Sequence, residues 1–594
     1  MSSYEDRLVA LRAQLARQRL DGFVVPLTDE HMSEYVGAYA QRLAWLTGFQ
    51  GSAGSGVVLP QEAAIFVDGR YTLQVRDQVD GRHWQYVGVP QTSVAAWLGE
   101  HAPDGARIGY DPWLHTRKWV EDAGAALASK NATLVAVDTN PVDAVWPDKP
   151  APSDARLVPH GDAFAGKSSA EKRAAMVDWL KAQGLDAVVL SALDSIAWTF
   201  NIRGQDVSRT PVALAFALLH ADGTAELFVA PEKIDADVRA HLGNAVTIRD
   251  RKDFSAALAD LSGKTVAVDP QRAVAAIFDA IDQAGGTIRA VRDPAVLPKA
   301  IKNATEIAGS KAAHSRDGAA LCRFLHWLDT DAAKGNETEI SASDRLEAYR
   351  QETGLLTDLS FDTISSSGPN GAVVHYKASE ETNRPIEAGT LYLVDSGGQY
   401  RDGTTDVTRT IAIGTPSAEM KRNFTLVLKG HIALATAQFP KGTRGGQLDI
   451  LARQHLWAHG LDYAHGTGHG VGSFLSVHEG PQRIATYDGG DEPLAEGMII
   501  SNEPGYYKTG AYGIRIENLV LVEARDVPGA EKPFLGFETL TLAPIDRHLV
   551  DVPIMSAAEL DWLNSYHTRV IAEIGPQLDT AEKAWLEQAC APIR

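Results

Sequence analysis

The chain has 594 residues, an apolar fraction of 44% and 22% charged residues, the profile of a globular protein of roughly three or four domains. Its formal charge of −20 disfavours nucleic acid as a partner and raises no objection to cations or metal ions. Its two cysteines, Cys322 and Cys590, cannot make a disulfide framework or a cysteine metal site, and no apolar run approaches the roughly 20 residues of a membrane span.

The opening, MSSYEDRLVALRAQLARQRL, places Tyr4, Leu8, Leu11 and Leu15 at helical spacing and predicts an amphipathic helix. It carries acids where a signal peptide carries bases and has no apolar stretch, so a reducing, cytoplasmic location is expected. Two proline-bearing breaks follow, WPDKPAPSD (Pro147, Pro150, Pro152) and RDPAVLPKAIKN (Pro294, Pro298). Each precedes a helix-start signature, Ser168 with Glu171 and Asn303 with Glu306. The expected domains are therefore 1–150, 151–302 and 303–594.

The first two pieces echo each other. LDGFVVPLTD (Leu20–Asp29) recurs as LDAVVLSALD (Leu185–Asp194), and LAWLTGF (Leu43–Phe49) as IAWTFNIRG (Ile196–Gly204). Two copies of one α/β unit, each a helix feeding a short buried strand, are expected. The third piece begins with helices to about Thr353. It continues with the strand-like runs DTISSS, GTLYLVDSGG, DVTRTIAIG, GMIISNEPGYY and GIRIENLVLVE. These predict an α+β domain with a curved antiparallel sheet. Two amphipathic helices from about Ser556 end the chain, within a helical extension of about 545–594.

The third piece also sets carboxylates on predicted strands, where each needs a partner. Asp395 closes LYLVD, Asp406 opens DVTRTIAIG across a Gly-rich connection, Glu503 follows MIISN, and Glu517 lies in GIRIEN on the face of Arg515. Singly, each acid reads as a turn residue or a solvent-facing one. Four acids on one sheet face repel unless protonated or bridged by cations. HGTGHGVGSFLSVHEGP adds His465, His469 and His478 among glycines. Four carboxylates with one imidazole suit hard divalent ions such as Mn²⁺ better than zinc, and bridging carboxylates favour two ions. Other chemistries fail: His478-Glu479 does not continue as H-E-x-x-H, no G-x-S-x-G or Walker loop occurs, and GTGHGVG and GSAGSG miss G-x-G-x-x-G.

VDSGGQYRDGTTDVTRT, HGTGHGVGSFLSVHEGP, ISNEPGYY and GIRIEN, in this order, resemble the pita-bread metallopeptidases, and among them the long three-domain cytosolic aminopeptidase P (Xaa-Pro aminopeptidase) group. The resemblance covers essentially the whole chain. It implies two creatinase-like N-terminal α/β domains, a pita-bread catalytic domain and a helical extension. It further implies that Asp395, Asp406, His469, Glu503 and Glu517 hold two divalent ions, with Asp406 and Glu517 bridging, Asp395 on one ion, and His469 and Glu503 on the other. A hydroxide bridging the ions would attack the first peptide carbonyl of Xaa-Pro substrates, with Glu503 as base. His375 in GPNGAVVHYK, His465 and His478 would flank the substrate. Arg515, joined by Tyr507, would hold the carboxylates. Arg70 in DGRY would reach the substrate from the first domain, although the tetrapeptide taken alone reads as a β-turn arginine. The family also suggests a homodimer. The rival readings are a prolidase-type dipeptidase, a metal-free creatinase-like hydrolase, and a catalytically silent binding module.

Overall fold

The computed structural model describes residues 2–332, 335–486 and 490–594. The chain divides into two compact units, Met1–Gly161 with Lys167–Val296, and Asp162–Gly166 with Leu297–Arg594. Among the described residues no helix is long and apolar enough to cross a membrane.

The first unit opens with the helix Tyr4–Arg17, started by a capping box between Ser3 and Asp6. Leu8, Leu11 and Leu15 face the core as their spacing predicts. Tyr4 does not; it stands in the first turn, exposed, with the Arg7 guanidinium over its ring. The helix feeds the strand Gly22–Pro26, buried at every position. That strand is third from one end of a six-stranded sheet: Gln85–Gly88, Ala63–Val67, Ser55–Val58, Gly22–Pro26, Arg107–Tyr110 and Thr133–Ala136, counted from the far edge.

A second sheet repeats this plan. Its order is Val246–Arg249, Ala225–Phe228, Phe216–His220, Ala187–Leu190, Thr265–Val268 and Thr287–Ala290. Both inner strands, Gly22–Pro26 and Ala187–Leu190, pair antiparallel on one side and parallel on the other. The outermost pairs are parallel in both sheets. The echoed segments thus supply equivalent inner strands, and the echoed Trp segments supply the helices that follow them, Arg42–Thr47 and Leu193–Phe200. Apolar runs without polar alternation are what a strand covered on both faces requires.

The second unit begins with the helix Ala304–Thr330, opened by the predicted capping box of Asn303 and Glu306. The helix Glu339–Gln351 follows. A buried ion pair ties the two: Arg350 Nε and Nη2 donate to Asp317 Oδ1 and Oδ2 at 2.8 and 3.0 Å, and the Tyr400 hydroxyl donates to the same carboxylate at 2.7 Å. The expected single sheet is instead divided into separate antiparallel ladders. Ile364–Ser367, Thr390–Ser396 and Val407–Ile413 form one, and Gly505–Lys508 pairs with Tyr512–Arg515 in another. The largest runs Phe439–Pro440, Phe534–Thr539, Asn518–Arg525, Ile499–Asn502, Gly468–Gly470 and Glu479–Ile484. One break has an evident cause: Glu503-Pro504 follows Ile499–Asn502, and Pro504 has no N–H for a ladder. The predicted terminal helices are Ala557–Ile574 and Thr580–Ala589; Leu563, Val570, Ile574 and Leu586 pack in a core that holds both free cysteines.

Arg350 and Asp317 are buried deeply enough that removing one partner strands the other's charge. Arg350→Ala lowers stability by about 3–5 kcal/mol, read as an earlier denaturant midpoint for the second unit; a shift worth under about 1 kcal/mol contradicts this account.

Candidate metal centre

The four acids occupy ends and breaks of the ladders. Asp395 is the penultimate residue of Thr390–Ser396 and pairs in register with Thr408 of the neighbouring strand. Asp406 immediately precedes Val407–Ile413. Glu503 follows Ile499–Asn502, and Glu517 fills the gap between Tyr512–Arg515 and Asn518–Arg525. At the last three sites the backbone leaves one ladder for the next and the acids lie off the regular strands, whereas Asp395 stays within its ladder. His469 departs from regular pairing within a strand, because the register of Gly468–Gly470 against Glu479–Ile484 shifts between His469 and Gly470.

The result is a crowded anionic cluster. Asp395, Asp406 and Glu517 are 8%, 4% and 1% exposed. Donor atoms of Asp406, His469 and Glu517 lie within 4.8 Å of one another. His469 Nε2 is 3.5 Å from Asp406 and 3.4 Å from Glu503. His469 Nδ1 donates to the Gly470 carbonyl at 2.9 Å, because a carbonyl only accepts, and Nε2 is the ring atom turned toward the acids. Burial and the neighbouring carboxylates push the Asp406 and Glu517 carboxyls well above their usual range.

Arg515, 1% exposed, brings one positive charge to these four acids. Its Nη2 donates to Asp395 Oδ2 at 2.6 Å, its Nη1 to the Tyr507 hydroxyl at 2.6 Å, and its Nε to Thr408 Oγ1 at 3.1 Å. Thr408 passes a hydrogen bond on to Glu517 Oε2 at 2.7 Å. Asp395 Oδ1 and Glu517 Oε1 are buried with no hydrogen-bond partner among the described residues. An orphaned buried carboxylate oxygen is costly. Two of them, beside a facing imidazole nitrogen, form the donor set of a hard divalent cation.

The remaining expected residues are placed as follows. His465 Nδ1 meets the Gly466 carbonyl at 2.8 Å, leaving Nε2 to accept from the Tyr507 hydroxyl at 2.9 Å. Arg515, Tyr507 and His465 thus form a chain of hydrogen bonds that starts at Asp395; burial lifts the Tyr507 phenol to about 12, against the pull of Arg515. The His478 ring stands edge-on to His469 at 4.3 Å between centroids. His375 lies on a turn beyond the short helical segment Gly368–Ala372, where Arg515 Nη1 reaches the Val374 carbonyl at 3.4 Å. Arg70 belongs to the other unit; its guanidinium grips Asp68 at 3.0 and 2.7 Å in the turn after Ala63–Val67.

Sequence reasoning passed over Thr408 and Ser501. Ser501 Oγ donates to Glu503 Oε1 at 3.1 Å and accepts from the His469 amide at 2.9 Å. Each hydroxyl stands two residues from an acid in sequence, Thr408 from Asp406 and Ser501 from Glu503, which was the available signal.

Residues 308–524 match metallopeptidase family M24, residues 7–145 and 148–306 match creatinase/prolidase N-terminal domains, and residues 533–593 match the C-terminal region of peptidase M24. The chain is 41% identical over 611 residues to a probable Xaa-Pro aminopeptidase P of Aspergillus flavus, covering 99% of this chain and 92% of that one. It is 42% identical over 609 residues to the corresponding protein of Neosartorya fischeri, with the same coverage. Among solved structures, an X-prolyl aminopeptidase from Caenorhabditis elegans, described as a cytosolic enzyme with a di-nuclear active site, superimposes with a TM-score of 0.95 at 35% identity over 100% of both chains.

The raised carboxyls make a pH prediction for chelator-treated protein. The unfolded chain releases these protons near its ordinary carboxylate values, before the folded chain does, so stability falls as pH rises through the raised folded values. Glu517→Gln removes one such group. Its melting temperature should stand close to wild type at about pH 5 and increasingly above it toward pH 8; a gap independent of pH contradicts the repulsion.

Proposed function

The chain belongs to metallopeptidase family M24, and on that premise we propose that it is a metal-dependent aminopeptidase that releases the first residue of peptides with proline in second position. The observation that carries this reading is the cluster of four carboxylates and one imidazole, with Asp395, Asp406 and Glu517 buried and two oxygens orphaned. Asp395, Asp406, His469, Glu503 and Glu517 would hold two divalent ions, Mn²⁺ by preference, because the donors are mostly hard oxygens. Asp406 and Glu517 would serve both ions, Asp395 one, and His469 with Glu503 the other. When bound, two such ions supply the positive charge that polarises a peptide carbonyl and lowers the pKa of water toward neutrality.

The chain's own groups do the rest. Glu503, 18% exposed and oriented by Ser501, takes a proton from the attacking water and returns it to the departing proline nitrogen. His375 and His478 donate to the oxygen that gains charge at the scissile carbonyl. His465 is held in one orientation by Tyr507 and flanks the peptide. Arg515 fixes Asp395 from behind. A proline in second position makes the scissile bond a tertiary amide with no N–H, so selectivity rests on a site shaped for the ring.

The same reading divides the chain into domains at 1–150, 151–302 and 303–594, close to the edges of the matched family segments. It places the protein in the cytoplasm as a homodimer.

Chelator-treated protein should release arginine from Arg-Pro-Pro only after Mn²⁺ is restored, and should leave Arg-Ala-Pro and Arg-Pro intact. Cleavage of Arg-Pro alone would make it a dipeptidase of the prolidase type. No cleavage of any of the three, with no ion bound, would leave only a binding role.

A further inference from the structure

Glu339 is the first residue of the helix Glu339–Gln351, and it is 0% exposed. An acid in the first turn of a helix ordinarily faces water and the helix dipole. This one turns inward onto a single loop. Its carboxylate accepts from the Ser367 amide at 2.6 Å, from Asn370 Nδ2 at 3.0 Å through both oxygens, from the Tyr376 hydroxyl at 2.8 Å and from the Arg384 amide at 2.9 Å. The four donors span the segment 367–384, and the hydroxyl among them belongs to the residue directly after His375.

The segment is held from its other side as well. The chain passes so close to the strand Tyr512–Arg515 that a Cβ on Gly371 would lie 2.8 Å from the Gly513 nitrogen. Arg515 Nη1 reaches the Val374 carbonyl, one residue before His375. The His375 backbone is therefore fixed between Arg515, which also holds Asp395, and Glu339, which makes no hydrogen bond to the acid cluster. A buried carboxylate is costly, and burial lifts this one while its hydrogen bonds oppose the lift. Charge-assisted bonds to four donors offset that cost only while the loop keeps this one shape.

We infer that Glu339 is a positioning residue for His375, its carboxylate fixing the 367–384 loop so that the imidazole meets the scissile carbonyl. The inference rests on the aminopeptidase reading above. Glutamine keeps the shape of Glu339 but turns an amide NH₂ toward groups that are themselves donors.

In the full chain loaded with Mn²⁺, Glu339→Gln should lower kcat on Arg-Pro-Pro by about 10-fold to 100-fold, with KM and bound metal close to wild type. In a His375→Ala background the same change should lower kcat no further, because Glu339 acts through that ring. Hydrogen exchange should quicken in peptides covering 367–384 and stay unchanged over Asp395–Asp406. Additive losses in the double variant, loss of metal, or wild-type kcat with unchanged exchange would each overturn the inference. If Glu339→Gln does not fold, Tyr376→Phe removes one donor and keeps the charge; it should show a smaller loss of the same kind, and wild-type kcat with unchanged exchange would again overturn it. If the wild-type chain cleaves none of the peptides, the aminopeptidase reading fails, and the exchange measurement alone decides whether Glu339 fixes the loop.

Discussion

Four carboxylates, three of them buried, gathered around one guanidinium are the constraint on which the second unit is built. Asp395, Asp406, Glu503 and Glu517 share a space in which Arg515 pairs directly with Asp395 alone. Like charges at this range cannot all ionise in a poorly solvated site without further positive charge. The fold holds the arrangement nonetheless, by spending backbone regularity. The ladders are interrupted at Asp406, Glu503 and Glu517, and ordered hydroxyls, Thr408 and Ser501, occupy Glu517 Oε2 and Glu503 Oε1 while Glu517 Oε1 is left without a partner.

A second layer keeps the acids from relaxing apart. Buried Arg409 donates to the Glu517 carbonyl at 2.7 Å and to Asn518 Oδ1 at 2.9 Å. His431, also buried, meets the Asn502 carbonyl at 3.1 Å, and the Asn502 side chain donates back to the His431 carbonyl at 2.9 Å. Asn518 Nδ2 also meets His431 Nε2 at 3.1 Å, so residues adjacent to Glu503 and to Glu517 are both tied to the helix Ala418–Ala435. Glycine permits the close packing: a Cβ on Gly468 would lie 2.0 Å from the Ser501 carbonyl oxygen. The glycines of the HGTGHG stretch follow from this. His469 stands beside Gly468, where only glycine lets the backbone pass so near the strand bearing Ser501, and Gly470 packs as closely on the Glu479 carbonyl and Gln482.

The sequence made local features legible wherever one residue's chemistry dictates its surroundings. Both capping boxes were readable because a side-chain oxygen must meet an N–H at fixed spacing. The echo of LDGFVVP in LDAVVL was readable because strands covered on both faces leave no polar alternation. The clustering of the acids was inferable because a carboxylate on an apolar strand demands a partner, and Asp406, His469 and Glu517 do converge. Tyr4 shares the spacing of Leu8, Leu11 and Leu15 yet is exposed, because spacing alone does not reveal where a helix begins to meet its core. The division of the sheet was missed because a strand pattern does not show where pairing changes partner. Glu339 was invisible because a first-turn acid at a helix start is ordinary in sequence, and only the three-dimensional loop shows its four donors.

The central claim, that this acid cluster is built around cations, is tested most directly by counting them. Protein stripped by chelator, exchanged into Mn²⁺ and freed of excess should carry two ions per chain by native mass spectrometry, and Asp406→Asn should carry fewer. A wild-type chain that holds none would contradict the account, since the orphaned oxygens of Asp395 and Glu517 would then have another explanation.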